Sequence, residues 1–419
     1  MMKLPIYTYL LVLFAYASSA QNVSEAFIYG EVTTWDGETY EGQLRWDKEE
    51  AFWTDMFNAS KTENDYVDYL TRNDLDELRS NRYQSWNGVR IGGKNVQWAK
   101  NWNDNWSNDF THQFSCQFGD LAAIQKRSDS KAILTFKNGE RLRISGSGYN
   151  DMSPKIRVYD DNVGKIVLKW DDVEEVKFKS TPKDWKSEIG EPLFGKVESW
   201  IGEFTGYIIW DKDERLTTDE LDGENRDVDL SIEFGNIRSI ERRGNMSEVV
   251  LKNGKHYRLG GSNDVDDDNR GVVIVTADNG RITLDWDDFE KVTFSDAPNT
   301  RMWSYSDFES PKKLRGVVKL TDGESIEGTI VYDLDETYGF EVLDGNIEES
   351  EMAIPFRLIE SIEPKNYTRS IVRLKSGTVL KLEDSQDVNE RHTGLLIFED
   401  GKDDPQYVMW KEVEKVSFK

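Results

Sequence analysis

A nine-residue phrase that occurs three times is the feature that most constrains the fold of this chain. Each copy starts with tryptophan and ends with alternating apolar residues; the copies are WDDVEEVKF at Trp170–Phe178, WDDFEKVTF at Trp286–Phe294 and WKEVEKVSF at Trp410–Phe418. The last copy ends one residue before the final residue, so we expect the phrase to close each repeated unit. The copies lie about 120 residues apart, which is too long for a propeller blade or a solenoid coil and long enough for a core in each unit.

Each unit opens with a segment in which apolar and polar residues alternate around a glycine-containing turn, as at 29–47, 194–211 and 315–333. Alternation with period two predicts half-buried antiparallel strands. Asp36-Gly37 and Asp322-Gly323 supply the positive φ that tight hairpin turns need. A second glycine, such as Gly42, stands four residues before the Trp or Tyr and predicts a sharp bend or bulge.

The middle of each unit carries a second phrase, FGDLAAIQ, FGNIRSIE or FRLIESIE, whose spacing fits a short helical turn or a kinked strand. A hairpin follows, with Asn-Gly or Ser-Gly at its tip. The last strand pair ends in the tryptophan phrase, where Trp286, Phe289, Val292 and Phe294 are expected to fill the core. Short strands with frequent turn signals predict an all-β fold.

The opening hairpin, with its V…DG…Y.G.L..WD pattern, resembles the first strands of small SH3-like or Sm-like barrels, and FGNIRSIE is similar to the segment that closes them. The whole repeat, with GSNDV before an RG pair, also resembles repeats of uncharacterised exported bacterial proteins. The resemblance implies three tandem β-barrel-like or sandwich-like modules, each one sandwich or two barrel-like halves. It implies no particular activity.

These patterns predict the domain organisation. The expected segments are a signal peptide at 1–20, a first module at 21–180 with an insertion at about 61–113, a linker at 181–193, a second module at 194–297, a linker at 298–313 and a third module at 314–419. We refer to the three modules as the first, second and third repeat. Each linker contains proline and a tryptophan, Trp185 or Trp303, which we expect to dock between semi-rigidly packed neighbours.

The first residues, MMKLPIYTYLLVLFAYASSA, have the order of a secretory signal peptide, with Lys3 before a short apolar run and small residues at the end. We expect an exported protein, periplasmic or extracellular in a bacterium, without an integral membrane segment. The only cysteine, Cys116, leaves no internal disulfide and is expected to be a buried small hydrophobic residue.

The formal net charge of −26 argues against binding to nucleic acid, because phosphate backbones are recognised by Lys and Arg. Cations, basic partners and neutral glycans fit this charge better. The alternative is that the acidic residues only keep an exported protein soluble.

The insertion in the first repeat is where we expect function to concentrate. Its first part predicts one or two short polar helices with Asn73 or Asp74 as a cap, and its second part contains Trp86, Trp98, Trp102 and Trp106 among asparagines. Indole rings stack on the apolar faces of sugars, so these tryptophans are the predicted binding site for a glycan or a protein partner. The alternative is that they only pack against the first or second repeat.

The segment SNDVDDDN, from Ser262 to Asn269, concentrates carboxylates in one turn. Asp264, Asp266 and Asp268 therefore form a candidate calcium site, although the segment lacks the glycine and the glutamate of an EF-hand loop. Asp264 corresponds to Asp151 and Asp387 in the other repeats, and a recurring aspartate of this kind also caps backbone amides.

Nothing in the chain forms a known catalytic motif. Adjacent carboxylates such as Asp171 and Asp172 point to opposite faces of a strand, and the three histidines occupy unrelated positions in their repeats. We therefore expect a non-catalytic binding or scaffolding protein without a required cofactor, which recognises a glycan, a cation or a protein partner. The alternative is a carbohydrate-active or other hydrolytic enzyme whose carboxylates converge only in three dimensions.

Overall fold

The computed structural model describes residues 23–76, 78, 90–91, 94–95, 113–146, 150–183, 185, 187, 189–226, 228–276, 278–297 and 303–419. The predicted signal peptide and most of the first-repeat insertion lie outside these ranges. Within them the chain is all-β, as predicted, with antiparallel sheets that do not close and one short helix. No helix in the described ranges is long and apolar enough to cross a membrane.

The first repeat contains strands β1 to β12. They are β1 Tyr29–Thr34, β2 Thr39–Trp46, β3 Met56–Lys61, β4 Arg90–Ile91, β5 Lys94–Asn95, β6 Gln113–Gln117, β7 Leu121–Ser128, β8 Lys131–Phe136, β9 Arg141–Ser145, β10 Lys155–Asp160, β11 Gly164–Lys169 and β12 Val173–Phe178. Strands β4 and β5 form a separate short hairpin inside the insertion.

The second and third repeats contain ten strands each. In the second they are β13 Phe194–Ser199, β14 Gly202–Ile209, β15 Glu220–Asn225, β16 Val228–Glu233, β17 Ile237–Arg242, β18 Ser247–Leu251, β19 His256–Leu259, β20 Val272–Thr276, β21 Gly280–Leu284 and β22 Phe289–Phe294. In the third they are β23 Arg315–Leu320, β24 Ser325–Val331, β25 Val342–Ile347, β26 Ser350–Pro355, β27 Ile359–Pro364, β28 Arg369–Leu374, β29 Val379–Glu383, β30 Leu395–Phe398, β31 Gln406–Val408 and β32 Val413–Phe418.

The same strand order recurs in all three repeats. It reads β11-β10-β2-β1-β12-β7-β8-β9-β3-β6 in the first repeat and β31-β30-β24-β23-β32-β27-β28-β29-β25-β26 in the third. The second repeat follows β21-β20-β14-β13-β22-β17-β18-β19, and a bridge between Glu224 and Gly260 joins the β15–β16 hairpin to that order. The sequence repeats are therefore also topological repeats.

The strand-interior glycine of the opening hairpin has a clear steric reason. Gly42 pairs with Gly30 across the hairpin, and a Cβ atom at Gly42 would lie 2.0 Å from the carbonyl oxygen of Tyr159 in β10. Gly206 and Gly328 are in the same situation, with carbonyl oxygens 2.6 and 2.4 Å from the position of a Cβ atom. Only glycine permits this close approach of two backbones.

The two sequence phrases have distinct structures. The FG phrase forms a 3-10 turn and then a strand, so both of its predicted forms occur in succession: Phe118–Asp120 before β7, Phe234–Asn236 before β17 and Phe356–Leu358 before β27. In the tryptophan phrase, Trp286, Phe289 and Val292 fill the core as predicted and are 5%, 1% and 0% exposed, whereas Phe294 is only partly buried. Trp210 packs edge-on against Trp286 and Phe289, with centroid distances of 5.9 and 5.2 Å. Cys116 is buried, also as predicted.

The repeats pack tightly on one another. Strand β21 of the second repeat pairs with β26 of the third, and Arg45 of the first repeat binds Asp219 of the second through two hydrogen bonds of 2.8 and 3.0 Å. Lys61 of the first repeat lies 2.8 Å from Asp335 and 2.5 Å from Glu341 of the third. All three pairs of repeats are thus in contact.

The linkers and the first part of the insertion reinforce these contacts. Trp185 of the first linker is 8% exposed and docks edge-on against Tyr29 at 5.2 Å, which confirms the expected docking. The insertion contains a 3-10 helix at Asp65–Tyr69 and a helix at 72–76, and Val67 and Leu70 pack against the third repeat. The cap of the helix is Thr71 rather than Asn73 or Asp74; Thr71 and Asp74 form reciprocal hydrogen bonds.

Candidate cation sites

The opening hairpin of every repeat ends in the same tight loop. The loop sequences are WDKEE at 46–50, WDKDE at 210–214 and YDLDE at 332–336. In each loop the aromatic residue forms a bridge with the final glutamate: Trp46 with Glu50, Trp210 with Glu214, and Tyr332 with Glu336. The aspartate after the aromatic residue has φ of 51°, 49° and 51° in the three repeats, a left-handed conformation that aspartate tolerates better than most residues.

A single aspartate ties a second segment of each repeat to this loop. Its carbonyl oxygen accepts a hydrogen bond from the aromatic side chain: Trp46 to Asp151 at 2.9 Å, Trp210 to Asp264 at 2.8 Å and Tyr332 to Asp387 at 2.7 Å. Its carboxylate accepts a backbone N–H: from Asn58 at 2.6 Å, from Asp222 at 2.7 Å and from Asp344 at 2.7 Å. The correspondence of these three aspartates therefore holds in three dimensions, and each caps a backbone amide.

The glutamate at the end of the loop places a second carboxylate close to that of this aspartate. We define acid cluster 1 as Glu49, Glu50 and Asp151, and acid cluster 2 as Asp211, Glu214 and Asp264; in each, one oxygen from every residue lies within 4.8 Å of the others. We call the residues of the third repeat that correspond to cluster 2, which are Asp333, Glu336 and Asp387, acid cluster 3.

One oxygen of the loop glutamate has no hydrogen-bond partner in any of the three clusters. The Oε2 atoms of Glu50, Glu214 and Glu336 are buried and unpaired, and Glu50 and Glu336 are only 6% and 8% exposed. A buried carboxylate oxygen without a partner carries a substantial desolvation cost. The same oxygen is thus left without a partner from the protein chain in all three repeats.

Burial disfavours the ionised form of the carboxyl groups in cluster 1. Burial and the neighbouring charge of Asp151 raise the pKa of Glu50 well above its ordinary value, and burial raises the pKa of Asp151 to about 7. The positive charges of Arg215 and Arg281 lower these two pKa values, respectively, without offsetting the effect of burial.

The same effect operates in cluster 2. Burial, reinforced by the charge of Asp264, raises the pKa of Glu214 to about 8. Burial likewise raises the pKa of Asp264 to about 6, although the backbone N–H of Asp222 opposes the shift. Near neutral pH, cluster 2 therefore holds a proton unless a cation takes its place.

The three clusters differ in the positive charge that the chain itself provides. In cluster 2 the Arg270 guanidinium lies 2.8 Å from both Asp211 and Asp213, so its ion pairs are with these two aspartates rather than with Glu214 or Asp264. In cluster 3 the ammonium group of Lys61 pairs with Asp335 and lowers the pKa of Glu336, which burial nevertheless keeps well above its ordinary value. Lys61 thus places a positive charge near cluster 3, although its ion pairs are with Asp335 and Glu341 rather than with a member of the cluster.

A buried histidine, His392, lies beside cluster 3. The His392 ring stacks on Trp410 with a centroid distance of 3.9 Å and an interplanar angle of 6°. Its Nδ1 atom accepts the N–H of Gly394 at 2.9 Å, and burial holds the pKa of this histidine well below its usual range. The imidazole is therefore neutral and adds no positive charge to cluster 3.

Carboxylate oxygens grouped in this way suit a hard cation. Calcium is bound by oxygen ligands, including mono- and bidentate carboxylates and water, whereas zinc prefers nitrogen and sulfur. Clusters 1 and 2 each offer three carboxylates from two separate segments, so one ion would fasten the hairpin loop to the second segment.

The residues predicted from the sequence have different positions. Trp86, Trp98, Trp102 and Trp106 lie outside the described residues. Asp264 belongs to cluster 2, whereas Asp266 accepts the N–H groups of Gly261 and Asp268, both at 3.1 Å, and Asp268 is exposed. The sequence did not lead us to Glu50, Asp211 and Glu214 as candidate ligands. The recurrence of acidic residues in the loops WDKEE, WDKDE and YDLDE was a feature that could have identified them.

Two recesses lie between repeats. One, of about 260 Å³, is lined by residues that include Gln117, Trp303 and Arg357; the other, of about 250 Å³, is lined by residues that include Phe52, Asp55 and Arg215. Neither recess is lined by an acid of the three clusters, so the carboxylates with raised pKa values do not face these openings.

Comparison with known proteins yields no relative for this arrangement. No family model, curated protein or solved structure matches the chain.

Proposed function

We propose that the protein is an exported, non-catalytic binding scaffold that holds two calcium ions, one in acid cluster 1 and one in acid cluster 2. The observation that carries the proposal is the orphan Oε2 atom of Glu50 and of Glu214, each beside another carboxylate. An ion at either position would replace the proton that burial otherwise imposes and would lock the hairpin loop.

The scaffold part of the proposal includes SH3-like or Sm-like character for each repeat. Its support is the recurrence of one strand order in all three repeats and the contacts between every pair of repeats. Three repeats held together in this way present fixed surfaces to a binding partner. The tryptophans of the insertion remain the proposed contact for a glycan or a protein partner. The proposal also includes export of the protein to the periplasm or the medium.

Calorimetric titration of calcium into the metal-free protein tests the cation sites. We expect two ions per chain in the wild type, one in Glu50→Gln, one in Glu214→Gln and none in the double variant. Glutamine keeps the size of the side chain and removes its charge, so the fold is expected to persist, as circular dichroism would check.

Glu336→Gln is the matched control, because the positive charge of Lys61 acts on Glu336 and opposes the binding of a cation in cluster 3. This variant should retain both ions. The proposal fails if the wild type binds no calcium, or if the Glu50 and Glu214 variants keep the wild-type stoichiometry.

A hydrolytic enzyme is the second candidate, and one observation favours it. Glu214 and Asp264 are close carboxyl groups whose pKa values, about 8 and about 6, differ in the way that acid and base partners require. Turnover of a glycoside panel that disappears in Glu214→Gln but survives in Glu336→Gln would favour the enzyme over the scaffold.

A further inference from the structure

The joint between the second and third repeats is made by strand addition. Strand β21 pairs antiparallel with β26, with Arg281 opposite Ala353, Ile282 opposite Met352 and Thr283 opposite Glu351. The strand from the second repeat carries a basic residue and the strand from the third carries an acidic one. Burial lowers the pKa of Arg281, and the negative charge of Glu351 is one of the influences that oppose this shift, so the charges across the joint attract.

The corresponding strands of the first and second repeats are not used in this way. By the shared topology, β11 of the first repeat corresponds to β21, and β16 of the second repeat corresponds to β26. Strand β11 pairs only with β10, and β16 pairs only with β15, among the described residues. Each therefore leaves one edge of backbone donors and acceptors open to pairing.

These two edges are exposed and apolar in part. Val163 and Val167, beside and within β11, are 66% and 51% exposed, and Val228 at the start of β16 is 58% exposed. They are among the most exposed large hydrophobic residues that the structure describes. Exposed valines on an unpaired edge provide apolar surface that a partner strand could cover.

The charges on the two edges are complementary. Strand β11 carries Lys165 and Lys169 and no acid, whereas β16 carries Asp229 and Glu233 and no base. If β11 met β16 in the register of the internal joint, Val167 would lie opposite Asp229 and Ile166 opposite Leu230. Lys165 would then stand diagonally beside Asp229, as Arg281 stands beside Glu351 in the internal joint.

We propose that β11 of one molecule adds to β16 of a second copy of this chain and repeats the β21–β26 joint between molecules. The contact is heterologous, because two different edges meet, so it builds head-to-tail assemblies, which are rings or open chains, rather than isologous dimers. The net charge of −26 opposes association at long range, and physiological salt screens that repulsion beyond about 8 Å while leaving the local pairing in place.

Sedimentation velocity over a range of protein concentrations at physiological ionic strength tests the proposal. The wild type is expected to form concentration-dependent oligomers. Val167→Glu places a negative charge opposite Asp229, and Asp229→Lys places a positive charge among the lysines of β11. Each variant should lower the association constant at least about tenfold, which corresponds to about 1.4 kcal/mol.

A mixture and a matched control separate this effect from misfolding. Each variant keeps one intact edge, so an equal mixture of the two should regain association that neither shows alone. Val379→Glu introduces the same charge at a valine that is 47% exposed in β29, which is paired with β28, and should associate like the wild type. A monomeric wild type, or unchanged association in Val167→Glu, would overturn the proposal.

Discussion

Arg215 and Asp55 form a buried ion pair that joins the second repeat to the first. The Nη1 atom of Arg215 lies 2.5 Å from Oδ2 of Asp55, and the two side chains are 3% and 4% exposed. The same Oδ2 atom accepts the N–H groups of Ala51 and Phe52, both at 2.7 Å. The Asp55 carboxylate thus holds a loop of the first repeat in place and also links the first repeat to the second.

Removal of one partner of this pair should be costly. Arg215→Met leaves Asp55 charged and buried, and we expect a loss of about 3–5 kcal/mol in the free energy of unfolding, measured by urea denaturation. Arg143→Met is the control, since Arg143 and its partner Glu63 are 68% and 58% exposed and the pair should contribute about 1 kcal/mol or less. Equal losses in the two variants would contradict the role of the buried pair.

The acid clusters should make the metal-free protein less stable as pH rises. The pKa of Glu214 is raised to about 8 in the folded state, so between about pH 4.5 and pH 8 the folded state binds more protons than the unfolded state. Stability therefore falls with rising pH across this window. Thermal unfolding of Glu214→Gln should show a weaker fall, and an unchanged profile would contradict the assignment.

Calcium should reverse this pH dependence. An ion in cluster 2 binds the ionised form of Glu214, so binding releases a proton and strengthens as pH rises towards 8. Calorimetry at pH 7 in buffers of different ionisation enthalpy would report the released proton. An affinity for calcium that does not change between pH 6 and pH 8 would argue against these carboxylates as ligands.

The glycine of the opening hairpin should tolerate no side chain. Gly42→Ala forces a methyl group into the carbonyl oxygen of Tyr159, so we expect a loss of more than about 3 kcal/mol or a failure to fold. Gly37→Ala is the control, because Gly37 has φ of 87° in an open turn and should lose only about 1–2 kcal/mol from backbone strain. Similar losses, measured by denaturant unfolding, would contradict the steric account.

The first part of the insertion should stabilise the third repeat. Leu70 is 9% exposed and packs with Val331, Leu334 and Leu396, so Leu70→Ala should cost about 2 kcal/mol. Hydrogen exchange is expected to accelerate in β30, which contains Leu396. Val379→Ala, at an exposed valine, should leave exchange in β30 unchanged, and equal acceleration in both would contradict this role.

The all-β class was predictable from the sequence because alternation and turn signals recur in each repeat. Period-two alternation predicted the strands, the recurring tryptophan phrase predicted the core residues, and the docking of Trp185 followed from its place in a proline-containing linker. The contact of the insertion with the third repeat was not predictable, because Val67 and Leu70 meet residues more than two hundred positions away, and no local pattern encodes that pairing.

The candidate site was only partly predictable. Asp264 was identified as a possible calcium ligand because carboxylates crowd the segment around it. The structure instead groups it with Asp211 and Glu214, which are more than forty residues away along the chain, because strand pairing brings the two segments together. Neither burial nor the orphan oxygen of Glu214 is visible in the sequence, and these two properties distinguish the cluster from ordinary surface acids.

The most direct test of the calcium-loaded scaffold is an anomalous difference map from crystals grown with calcium. We expect two peaks per chain, one among Glu50, Asp151 and Glu49 and one among Glu214, Asp264 and Asp211, each about 2.3–2.6 Å from carboxylate oxygens. No peak is expected in acid cluster 3. The account would be contradicted if such crystals showed no anomalous peak in clusters 1 and 2, with only water beside the carboxyl groups.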